Sequence, residues 1–240
     1  MSMTHSGTHS GTHSGFAHAQ DIAGVLERMA SIDTTLPASD GVAYFNRMYR
    51  EVTRLVADAV RDNEFLAAEF LERLDVNFAN LFFTAYDDAQ AARPVTPAWA
   101  PLFEARNRPD THPIQFALAG MNAHISHDLA FAVVTTCREI GVVPADESPE
   151  HLDFSRTNAV LAEASAVVKG WFLSGLVAEL DEIGGKLDDG IAMFGIHVAR
   201  AAAWQTSEIL WVLEDNPRMD QLFRSGLSRS VELTSRGILL

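Results

Sequence analysis

The chain contains one cysteine, Cys137, among 240 residues. No internal disulfide can form, which suits a reducing, cytoplasmic compartment. Basic residues are also scarce. Eighteen Lys and Arg stand against 32 Asp and Glu, a formal net charge of -14. Nucleic acid and anionic lipid surfaces need a basic face, so neither is an expected partner. No apolar run approaches the roughly 18–20 residues that span a bilayer. Leu129 to Val134 is typical of the longest runs. The sequence has no Gly-x-Ser-x-Gly elbow, no Gly-rich phosphate loop, no Glu-x-x-His pair and no His-Glu-x-x-His motif. Serine hydrolases, P-loop enzymes, ferritin-like di-iron proteins and zincins are therefore poor matches. No segment alternates with period two between turn signals, so strands are not expected.

What is present is a composition fit for a buried core, 48% apolar and 21% charged. Thr-His-Ser-Gly occurs three times between Thr4 and Gly15. This stretch has no apolar periodicity and lacks the basic start and long apolar centre of a signal peptide. Residues 1–16 are expected to be a disordered His/Ser/Gly leader, and 17–240 a single all-α domain of six to eight helices.

The helices follow from 3.6-residue periodicity. Ile22, Val25, Leu26 and Met29 mark the first, and Thr34 to Asp40 a break. A long helix over 42–61 turns Phe45, Met48, Tyr49, Val52, Leu55, Val56 and Val60 inward. Phe65 to Tyr86 carries the next apolar stripe. Five prolines make 93–113 an irregular connection with one turn near Trp99 to Ala105, and long loops in compact domains often border a site. Thr111 and Pro113 are suited to start a helix reaching Ile140. Helices over 149–183 and 188–213, and a short last one over 217–227, complete the set.

The most informative stretch is Gly120-Met121-Asn122-Ala123-His124-Ile125-Ser126-His127-Asp128. At about 100° per residue, His127 and Asp128 fall within roughly 60° of His124, while Asn122 points the other way. Burying this trio costs several kcal/mol, on the order of 2–7 per group, unless each side chain is hydrogen-bonded or metal-bound.

Two chemistries use such groups. Imidazole and carboxylate ligate zinc, iron or manganese, and Asp75, His124, Asp128 and His197 make a reasonable metal set drawn from several helices. Without a metal, His124 or His127 moves a proton while Asp128 fixes its tautomer. Arg200, three residues after His197, suits an ion pair with Asp75 or Asp128, or a clamp on a carboxylate.

Beyond the central motif, Tyr44-Phe45-Asn46 with Tyr49, Leu74-Asp75-Val76 with Phe78-Ala79-Asn80, and Trp99 with Pro101-Leu102-Phe103 complete a pattern. On these residues the chain resembles a family of uncharacterised helical bacterial proteins, a domain of unknown function, over about residues 40 to 215. The resemblance implies where a site lies and carries no activity with it.

The sequence thus predicts an interior site of His124, His127 and Asp128. Its expected role is metal-assisted or general acid–base chemistry on a small, partly apolar molecule. The rival class is a non-catalytic ligand-binding or helical interaction protein whose polar cluster only fixes specificity.

Overall fold

A computed structural model describes residues 18–61, 65–176 and 189–240, with side chains left out at 60, 163–176 and 189–194. The expected leader over 1–16 and the Gly184-Gly185 break lie outside the described residues. Every regular element among the described residues is helical. These are α1 (Ile22–Thr35), α2 (Gly41–Arg61), α3 (Ala68–Gln90), α4 (Ala100–Ala105), α5 (Pro113–Ala123), a π turn (His124–Asp128), α6 (Leu129–Ile140), α7 (Pro149–Leu176), α8 (Asp189–Leu213) and α9 (Pro217–Ile238). The segment α5–π–α6 is one continuous helix, so the described residues form eight helices of an all-α domain.

Local chemistry sets the boundaries. Asp21 caps α1 by accepting the Gly24 N–H at 2.8 Å. Asp40 starts α2 through the Val42 N–H at 2.8 Å, and its other oxygen takes Arg106 at 2.7 Å, which ties α2 to the end of α4. His112, not Thr111, is the N-cap of α5, with Pro113 in the first turn and the Gln115 side chain accepting the His112 N–H at 2.9 Å. Gly141, at φ 75, closes α6 in the left-handed conformation.

The central helix α5–π–α6 is the hub. It packs against α2, α3, α8 and α9. Phe45, Phe82, Phe83, Trp99, Phe116 and Leu129 form the core around it, each no more than 2% exposed. The α2 stripe turns inward largely as its spacing predicts, through Phe45, Met48, Tyr49 and Val56. Thr53 is buried beside them, whereas Val52 and Leu55 are half-buried.

One correction concerns α9, which runs to Ile238 rather than ending near Leu227. Its polar sequence hides the helix. It is held by Arg224–Asp220 and Arg236–Glu232 pairs at i,i+4 and by bonds to α5. Asn122 donates to the Val231 carbonyl at 3.1 Å, and Gln115 donates to the Ile238 carbonyl at 2.8 Å.

Gly120 marks the closest approach of α5 to α2. A Cβ there would sit 2.5 Å from the Phe45 ring. Phe45 is wedged against Tyr49, Phe82, Trp99 and His124, so it cannot yield easily. Gly120→Ala is therefore expected to cost about 1–3 kcal/mol by overpacking. Urea unfolding measures this, and an unchanged midpoint would contradict the packing described.

Candidate active site

The central motif does not continue as a regular α-helix. The Leu129 N–H reaches the carbonyl of His124, five residues back, so His124–Asp128 is a π turn. The spacing argument at about 100° per residue is corrected accordingly. Single π turns inside α-helices recur at functional sites. The wider turn still sends three side chains inward: His124 is 2% exposed, Asp128 3% and His127 8%.

Asp128 is the node. Its Oδ2 accepts the indole Nε1–H of Trp99 at 2.9 Å and meets Nδ1 of His124 at 3.1 Å. Its Oδ1 meets Nδ1 of His127 at 2.7 Å. Burial pushes this carboxyl up, but hydrogen bonds from the two imidazoles and their charges outweigh it and hold Asp128 below the usual carboxylate range. An ionised carboxylate is an acceptor only, so both histidines place their proton on Nδ1. In a neutral ring held this way, Nε2 carries the lone pair.

The two rings differ in surroundings. His124 stacks on Phe78 at 3.5 Å between centroids, with Tyr49 at 4.5 Å and Phe45 at 5.8 Å. This apolar jacket lowers its pKa, against the opposing pull of Asp128, so the ring stays neutral. Its Nε2 is sealed from solvent without a hydrogen-bond partner. His127 packs on Phe131 at 4.8 Å and keeps 10% of its side-chain surface. Its Nε2 also has no hydrogen-bond partner among the described residues, but it is not sealed.

The remaining sequence candidates make no hydrogen bond or ion pair with this trio among the described residues. Asp75 lies on α3. Burial raises its carboxyl to about 7, with Arg200 pulling the other way. The Tyr49 hydroxyl is held well above its ordinary value by burial first and then by the charge of Asp75. His197, on α8, has a buried Nε2 with no partner. No three His, Cys, Asp or Glu side chains among the described residues are arranged to hold one metal ion.

The ion pair expected of Arg200 is not formed. Its Nε donates to Asn158 Oδ1 at 2.8 Å, and its Nη2 donates to the Phe154 carbonyl at 2.8 Å and to Thr157 Oγ1 at 2.6 Å. Neutral acceptors on α7 take the guanidinium in place of a carboxylate.

Trp99 is the partner of Asp128 that sequence reasoning missed. Its signal was the Pro-rich connection. Pro97 and Pro101 flank it, and α4 tucks the indole inward to 1% exposure.

A family model matches residues 22–240 of the 240-residue chain. The chain belongs to DUF5995, a family of unknown function. No curated protein and no solved structure matches it. Within this DUF5995 chain, then, the chemistry has to be argued from the geometry around Asp128.

Proposed function

We propose that the chain is an enzyme using general acid–base chemistry on a small, partly apolar molecule, with His127 as the base. The observation that supports this is the sharing of Asp128. One ionised carboxylate takes Nδ1 of both histidines and the Trp99 indole, and leaves both Nε2 atoms without partners. A carboxylate that fixes the Nδ1–H tautomer turns Nε2 into an aimed proton acceptor. His127 takes the active role because its ring reaches the surface and that of His124 does not. His124 and Trp99 hold Asp128 in place. Most polar atoms of a purely structural buried cluster are paired, and the two Nε2 atoms here are not.

On the same reading, the Gly120 to Asp128 run is the motif shared by this family of helical bacterial proteins, and the protein works in the cytoplasm without nucleic-acid or membrane partners. A zinc, iron or manganese ion held by Asp75, His124, Asp128 and His197 gains no support from the geometry.

Hydrolysis of 4-nitrophenyl acetate tests the proposal: a poised imidazole takes a proton from water as the water oxygen adds to the ester carbonyl, and 4-nitrophenolate leaves. The wild type is expected to exceed His127→Asn by at least about tenfold in rate, with circular dichroism unchanged between them. The variant keeps every other histidine, so the difference in rate belongs to position 127. Equal rates in the two folded proteins would overturn the assignment of His127.

A further inference from the structure

A second set of unpartnered nitrogens lies on α8. His197, Arg200 and Trp204 occur at i, i+3 and i+7, within about 60° of one another around the helix. Trp204 is 1% exposed, yet its indole Nε1–H has no hydrogen-bond partner. Nε2 of His197 is likewise buried and unpartnered. Arg200 is 8% exposed and spends Nε and Nη2 on α7. Its Nη1 makes no hydrogen bond, and no carboxylate pairs with the guanidinium, among the described residues.

We propose that this face of α8 is a binding site for the carboxylate of a small aromatic or otherwise apolar acid, with Arg200 Nη1 and Trp204 Nε1–H as donors.

The charge calls for one anion. Arg200 is the only Lys or Arg in α8, so the site matches a monoanion better than a phosphate. A ligand carboxylate would give the buried Trp204 Nε1–H the acceptor it lacks. The walls favour an apolar body. Phe154 lies 4.2 Å beneath the guanidinium, and Trp204 touches Phe154 at 5.1 Å, His151 at 4.7 Å and Phe70 at 6.2 Å. Asp75 attracts Arg200 without an ion pair, and burial brings that carboxyl up to about 7. Its charge competes with a bound anion rather than assisting it.

The site goes beyond the acid–base reading of His127 and does not depend on it. None of its residues belongs to the Asp128 cluster, so the two stand or fall separately.

Sodium benzoate is the probe, titrated into the full-length protein against sodium chloride of equal ionic strength. Melting temperature and tryptophan fluorescence are the readouts. Benzoate is expected to raise the melting temperature saturably and to change the fluorescence. Trp204→Phe keeps the ring and loses the donor, and should bind about tenfold more weakly. Arg200→Gln should abolish binding. Asp75→Asn, which removes the competing charge, should bind several-fold more tightly. If Arg200→Gln fails to fold, Trp204→Phe and Asp75→Asn decide the matter. No benzoate effect beyond chloride in the wild type overturns the site. So does an effect that neither of these two variants alters.

Discussion

Asp128→Ala is expected to lower the unfolding free energy by about 2–5 kcal/mol, because it strands three buried donors at about 1–3 kcal/mol each before any of them readjusts. The magnitude follows from what the substitution leaves behind. The Trp99 indole N–H and the Nδ1 atoms of His124 and His127 all lose their acceptor at once. A histidine can recover part of this by moving its proton to the other nitrogen, so the three costs do not simply add. Asp128→Asn keeps the shape and one acceptor oxygen, and should lose less. Chemical denaturation of the three proteins measures the order: wild type, then Asn, then Ala. A loss below about 1 kcal/mol for Asp128→Ala would mean that the three donors have acceptors elsewhere.

The second large effect concerns pH, where two buried groups oppose each other. His124 has a lowered pKa, so the unfolded chain binds its proton more readily. The stability that it contributes is present above its unfolded value of about 6.5 and is lost as pH falls toward the folded value. Asp128, also lowered, adds a further loss below its unfolded range near 4. Asp75 has the opposite sign. Its carboxyl is raised to about 7, so the folded chain binds the proton more readily. Its contribution is complete below the ordinary Asp range and is lost as pH rises through about 7. Each group alone gives a slope of up to about 1.4 kcal/mol per pH unit. Between the unfolded Asp range and about pH 6.5 the Asp75 and His124 slopes cancel in part.

Asp75→Asn therefore exposes what the cancellation hides. The variant is expected to match the wild type near pH 5, where Asp75 is protonated, and to exceed it in stability at pH 8. It should lose stability on acidification more steeply than the wild type. Denaturation midpoints at pH 5, 6.5 and 8 check this. A constant offset between the two proteins at all three values would contradict the raised Asp75 carboxyl.

The sequence carried most of this architecture because its helices are amphipathic. Phe45, Met48, Tyr49 and Val56 announce α2 by spacing alone, and all four are buried. Gly141 ends α6 as its left-handed freedom suggests. The polar α9 was truncated because its apolar residues are sparse, and its i,i+4 ion pairs do not register as hydrophobic periodicity. The trio at His124, His127 and Asp128 was legible because polar groups in an apolar helix are costly. The π turn was not, since no residue type encodes a five-residue hydrogen bond. Trp99 could not be placed either. Its bond to Asp128 joins residues 29 apart, and only the folded chain sets that distance. For Asp75 and Arg200, residue type suggested a salt bridge, yet Phe154, Thr157 and Asn158 on α7 take the guanidinium instead.

The central claim is that Asp128 holds both imidazoles as Nδ1–H tautomers with free Nε2 atoms. Long-range proton–nitrogen NMR of the histidine side chains at neutral pH measures the tautomers directly. His127→Asn and His124→Asn variants assign the two signals against those of the other histidines. The account predicts neutral rings for both residues, protonated on Nδ1 and bare on Nε2, and loss of that preference in Asp128→Asn. Nε2-protonated tautomers, or a tautomer preference unaffected by Asp128→Asn, would contradict it.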